Sequence, residues 1–246
     1  FVCLFFISSL FFADFLYAKS NNDPQSLSWA FQDVKLPQAW EYTTGSSDVT
    51  VAIIDNGFDY LHPDLRENVW INSDEVPGDN IDNDNNGYKD DIYGWDFSQN
   101  SNKSISPGPN LSNFKQANRK TFHHGTAVAG LMGAEGNNGI SSSGTNWSVK
   151  LMNLRVVGSS GKGNIAPLPE AIRYAVDNGA DIISFSMVGT TPNKKVVEKI
   201  KKAVDYAYNN QVAMFAAAGN KFKNLNKDPV YPICADKNSA HQKIIG

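Results

Sequence analysis

Four short runs of branched and apolar residues, each far enough from the next to leave room for a helix, restrict this chain to one class of fold. The runs are Val49 to Ile54, Val149 to Val157, Ala180 to Phe185 and Gln211 to Ala217. Each is apolar almost throughout instead of alternating, the pattern of a strand buried on both faces in a parallel sheet. The intervals carry a helical period. Leu168, Ala171, Ile172, Ala175 and Val176 fall at i, i+3, i+4, i+7 and i+8, and Gly179 follows where a helix would stop. Val196, Ile200, Ala203, Val204 and Ala207 form a second apolar face, while Lys194, Lys195, Lys199, Lys201 and Lys202 lie mostly elsewhere as a solvated one. The order strand, helix, strand, helix, strand, helix, strand predicts an α/β fold with a mostly parallel central sheet. The polar stretches Asn72 to Asp91 and Asn100 to Lys120 are expected as surface insertions after the first strand.

Composition excludes several classes. With 41% hydrophobic and 19% charged residues among 246, the chain buries a sizeable core and is not wholly disordered. Twenty-two basic against 25 acidic side chains leave a formal charge of −3, which gives no footprint for nucleic acid. The two cysteines, Cys3 and Cys234, make no disulfide scaffold, and Cys234 is expected as a small buried hydrophobe. Residues 1–18 hold six of the fourteen phenylalanines and no basic residue. That run is too short to span a bilayer, and Ala18 is small enough to end a secretory apolar region. The expected organisation is a signal peptide at 1–18 whose start is missing, a short linker at 19–28 and one domain over 29–246. A secreted or cell-surface protein without stable membrane association follows.

Four features carry chemistry. Asp55 closes the first strand ahead of Asn56-Gly57, at the end of a parallel sheet where sites assemble. His124, in FHHGTAVAG, opens a small-residue helix, where one ring nitrogen can be oriented by a carboxylate while the other acts as a base. Asn220 ends the strand QVAMFAAAGN, and its amide can donate to a developing oxyanion. Ser186, Met187, Val188 and Gly189 follow ADIISF as an edge able to pair with an extended peptide. Each alone is also an ordinary turn, structural histidine or loop. A fifth feature is DNIDNDNNGYKDD. Asp82, Asp84 and Asn86 stand at alternate positions, Gly87 follows, and Asp90 falls at position nine, an arrangement similar to a calcium loop.

Taken together and in this order, VAIIDNGFDYLHPDL, HHGTAVAG, ISFSMVG and AAAGN resemble the motifs of the subtilisin-like serine peptidases, from about Trp29 to Gly246. The resemblance implies a mostly parallel sheet with helices on both faces, incomplete at the C-terminus, and a secreted endopeptidase acting on polypeptides. By resemblance Asp55 orients the imidazole, His124 is the general base and Asn220 stabilises the oxyanion, while His123 is a flank. It also implies calcium, at the loop of Asp82, Asp84, Asn86 and Asp90. A second calcium site would combine the carboxylate of Asp64, Asn138 and the backbone oxygens of Ile140 and Ser142.

The family's nucleophile lies in a Gly-Thr-Ser-x-Ala motif downstream of the asparagine, and no such segment occurs here. Ser239 in NSAHQ lacks its flanks, so the chain is expected to stop before the nucleophile, with KIIG as the start of another core strand, and to be inactive alone. The alternative is an inactive, peptide-binding relative of the same fold. Three further departures stand out: little room for a propeptide, Val188 where the family commonly has a pocket glycine, and Ala127 in place of a frequent histidine.

Overall fold

The computed structural model describes residues 21–24, 29–104, 123–158, 164–191, 193–237 and 239–246. The expected signal peptide, residues 19–20 and 25–28 of the linker and most of the second polar stretch lie outside the described residues. Among the described residues no helix is long and apolar enough to cross a membrane.

Two short helices, α1 (Trp29–Asp33) and α2 (Leu36–Trp40), precede β1 (Gly45–Asp55). Then come β2 (Gly94–Asp96), α3 (His124–Gly133), β3 (Ser148–Arg155), α4 (Leu168–Asp177), β4 (Ile182–Phe185), α5 (Lys194–Asn209) and β5 (Ala213–Ala216). The strands form one sheet in the order β2-β3-β1-β4-β5. Every pairing is parallel. The chain moves from β1 to one side for β3 and then to the other for β4, so β1 sits at the point where the order reverses. The carboxyl ends of strands at such a point open into a crevice.

Alternation along β1 divides the core. Ala52 and Ile54 pack with Leu168, Ile172, Ile200 and Val204 from α4 and α5. Val51 and Ile53 face Val128 and Ala129 of α3, together with Phe58 and Leu65. Helices therefore cover both faces, and each fully buried Leu or Ile contributes about 1.5–3 kcal/mol. The four predicted strands are present with shifted ends. β1 runs back to Gly45 because that residue pairs with Ser148 of β3, across an irregularity that ends at Thr50.

The stretch Asn72 to Asp91 is the surface insertion that its polarity predicts, except at three anchoring residues. Asn72, Glu75 and Asp91 are buried. The Asn72 and Asn86 amides and the Tyr174 hydroxyl of α4 all donate to Asp91. Polar side chains satisfied by one another bury without a large penalty, so polarity here marks a bonded network.

Candidate active site

Asp55 lies at the carboxyl end of the central strand and is 2% exposed. His124 begins α3, and its Nδ1 lies 2.9 Å from Asp55 Oδ1 and 2.8 Å from Oδ2. The Asn56 N–H donates to Asp55 Oδ1 at 2.7 Å. Burial pushes the Asp55 carboxyl above its ordinary range, opposed by the hydrogen bonds from His124 and the Asn56 N–H. A carboxylate on Nδ1 favours the tautomer protonated there and leaves the basic lone pair on Nε2.

Local packing holds the pair. Asn56 Oδ1 accepts the Gly125 N–H at 2.8 Å, satisfying one of the first-turn donors of α3. A Cβ on Gly125 would lie 2.3 Å from the Gly57 carbonyl oxygen, so only glycine lets the helix start this close to the loop after β1. Asn153 of β3 completes the clamp. Its Oδ1 accepts the Phe58 N–H at 3.0 Å and its Nδ2 donates to the Phe58 carbonyl at 2.9 Å.

Ser186 to Gly189 leave the carboxyl end of β4, next to β1. Gly189 and Tyr231 exchange backbone hydrogen bonds of 3.0 and 2.9 Å. Among the described residues no backbone partner is found for Ser186, Met187 or Val188, which leaves their edge open to an extended chain. Asn220 follows β5 past Gly219, whose φ of +94° suits glycine. Asp55 closes β1 and Asn220 lies four residues past the end of β5, with β4 between the two strands. The structure thus joins Asp55 to His124 directly, while Asn220 lines a separate cleft of about 320 Å³ together with Val188 and Gly189.

The candidate calcium residues divide. Carboxylate oxygens of Glu75, Asp82 and Asp84 converge within 4.8 Å of one another. Asn86 braces them, its N–H donating to Asp82 and Asp84 and its amide to Asp84. Asp90 turns away, accepting the Gly78 and Asn80 N–H groups at 2.7 and 3.0 Å. At the second place, Asn138 Nδ2 donates to Asp64 at 3.0 Å and the Ser142 N–H donates to it as well. Asn138 Oδ1 accepts the Ile140 N–H. The buried carboxylate of Asp23 accepts the N–H groups of Asn137, Asn138 and Gly139. Burial foremost, and also the nearby Asp23 charge, push the Asp64 carboxyl upward.

Residues 46–239 match the family model described as the subtilase family. The chain belongs to the subtilase family. This subtilase is 31% identical over 212 residues to thermitase of Thermoactinomyces vulgaris, covering 85% of the chain and 61% of that protein. It is 34% identical over 175 residues to subtilisin-like protease 1 of Plasmodium berghei (strain Anka), covering 69% of the chain and 27% of the relative. Among solved structures it is similar to the proteases from Pseudoalteromonas arctica PAMC 21717, with a TM-score of 0.55 and 27% identity, over 81% of this chain and 59% of that one. The chain thus spans less than two thirds of the length of these relatives.

Three residues of the subtilase site escape a reading by motif. Asn153 was legible in principle, because an amide inside the apolar run SVKLMNLR must find partners when buried. Glu75 and Asp23 had no such signal. Each is one acid among many in a polar stretch, and only the folded loops bring it to its neighbours.

Proposed function

We propose that this protein is a serine endopeptidase that hydrolyses polypeptides by acyl transfer, with the nucleophilic serine supplied from outside these 246 residues. The observation that carries the reading is the seating of His124 Nδ1 on both oxygens of buried Asp55, at 2.9 and 2.8 Å, on the carboxyl edge of the sheet. A serine hydroxyl oxygen attacks the peptide carbonyl carbon while His124 Nε2 takes its proton. Asp55 holds the ring and stabilises the imidazolium. The Asn220 amide donates to the carbonyl oxygen as it becomes an oxyanion. His124 then passes the proton to the leaving amine, and water releases the acyl group by the same steps in reverse. The open backbone of Ser186 to Val188 would register the substrate as an added strand. Ser239 has no part in this reading: it is exposed, and its N–H is spent on the Asp236 carbonyl.

Calcium belongs to the same reading. Glu75, Asp82 and Asp84 offer hard oxygen donors at a spacing that suits a cation with ligands about 2.3–2.6 Å away. A bound ion would neutralise their mutual repulsion and stiffen the loop. Asp64, Asn138 and the backbone oxygens of Ile140 and Ser142 are the second candidate, where the neighbouring Asp23 adds negative charge. Export is also part of the proposal, supported by the apolar leader at 1–18.

Peptide hydrolysis and labelling by a serine-directed fluorophosphonate, measured on the full-length protein, test the reading. The expected result is labelling and turnover in the native protein, with turnover reduced at least about a thousandfold in His124→Ala at unchanged folding. Absence of both in a correctly folded, full-length protein overturns it and leaves a peptide-binding relative.

A further inference from the structure

The cleft beside Asn220 has a charge that the rest of the molecule does not share. The chain is net acidic at −3, yet Lys221 and Lys223 both line this cleft of about 320 Å³, and no carboxylate does. Neither lysine forms an ion pair among the described residues, whereas Lys199, Lys201 and Lys243 do. The remaining walls join the apolar side chains of Val188, Ala218 and Val230 to the neutral polar residues Thr190 and Asn220. A Cβ on Gly219 would already stand 3.4 Å from Val188 Cγ2, so the Val188 side chain occupies space next to the backbone leading to Asn220. The cleft therefore combines apolar and neutral polar walls with two lysines and no acid, and through Val188 it adjoins the backbone edge at Ser186 to Val188.

We infer that this cleft selects substrate segments carrying an acidic side chain, Asp or Glu, with Lys221 and Lys223 as the residues that set the preference. The inference rests on the proposed peptide-hydrolysing role for the substrate's orientation, but the charge preference itself requires only binding. A carboxylate entering the cleft meets two positive charges without any fixed negative neighbour among the lining residues. A neutral amide of the same shape gains the wall contacts and loses the charge attraction. A basic side chain meets repulsion, which discriminates more strongly than the loss of attraction. Because both lysines are exposed, screening limits the effect, and a Glu-over-Gln ratio of about fivefold at low salt is the expected size.

Alanine-based tetrapeptides that differ only in the last residue, Glu, Gln, Leu or Lys, are titrated against the full-length protein by fluorescence anisotropy, and hydrolysis of extended versions is followed in parallel. The native protein should bind the Glu peptide about fivefold more tightly than the Gln peptide, with the ratio collapsing in 0.5 M salt. Lys221→Gln combined with Lys223→Gln should abolish the ratio, and Lys221→Glu with Lys223→Glu should reverse it toward Lys. Lys227→Gln, in the same segment but outside the cleft lining, should leave it unchanged. Equal affinity for Glu and Gln, or a preference that survives the double glutamine substitution, overturns the inference. The two readings separate cleanly. Binding preference without hydrolysis sinks the peptidase role alone, and hydrolysis without preference sinks the acidic specificity alone.

Discussion

Replacing Asn153 tests how the loop after Asp55 is held. Asn153 is fully buried, and so is Phe58, whose N–H and carbonyl it satisfies at 3.0 and 2.9 Å. Asn153→Ala removes both partners at once and leaves two buried backbone groups unmet, at about 1–3 kcal/mol each. The expected loss is about 2–5 kcal/mol. In a domain of this size that lowers Tm by about 5–15 °C. Urea unfolding and thermal scans of the native protein, Asn153→Ala and Asn153→Leu read the effect. Leucine fills the space without the bonds, so a loss similar to that of alanine assigns the cost to hydrogen bonding and not to a cavity. Phe58 lies three residues beyond Asp55, and in the full-length enzyme the same change should reduce kcat more than it alters KM. An alanine variant within about 1 kcal/mol of the native protein would show instead that the Phe58 backbone finds other partners.

Three other outcomes follow from the site. Burial raises the Asp55 carboxyl above its ordinary value of 3.8, so the folded chain holds that proton more tightly than the unfolded one. The stability contributed by this group is complete below the unfolded value and is lost as pH rises through the higher folded value. Asp55→Asn should flatten that decline in urea titrations carried upward in pH from the unfolded value; an unchanged slope contradicts the assignment. Asn220→Ala should reduce kcat about a hundredfold or more with KM little changed, since its amide acts on the developing oxyanion; a change confined to KM in steady-state kinetics rejects that role. Calcium at a hundred times its Kd should stabilise the protein by about 2.7 kcal/mol, and Glu75→Gln with Asp84→Asn should remove most of the gain. Thermal scans with and without chelator measure it, and an ion-independent Tm in the native protein dismisses the site.

Much of the fold was legible because β3, β4 and the second half of β1 are largely buried and so read as apolar runs, whereas β5, read in the same way, leaves Ala213 and Phe215 exposed. β2 was not legible. Gly94–Asp96 is three residues long, and it is a strand only because β3 supplies its partners. The helices α1 and α2, five residues each, carry too few turns for a period to show. Asp55, His124 and Asn220 stood out because each adjoins a strand end or a helix start, where local sequence already implies a position near the sheet edge. The candidate calcium loop was half legible. Asp82 and Asp84 follow from spacing, but Asp90 points to the Gly78 and Asn80 backbone, and Glu75 takes its place beside the other two.

Local pattern alone reached the fold class, the positions of the four main strands and the residue types available for proton transfer and oxyanion stabilisation. Those depend on side-chain periodicity and on chemistry intrinsic to each residue. The strand order β2-β3-β1-β4-β5, the contact of His124 with Asp55 across 69 positions, the Asn153 clamp and the two lysines gathered at the cleft came only with tertiary structure. Each of these depends on which distant segments share a sheet edge, and the burial of many apolar side chains at once selects that arrangement, which no short stretch of sequence encodes.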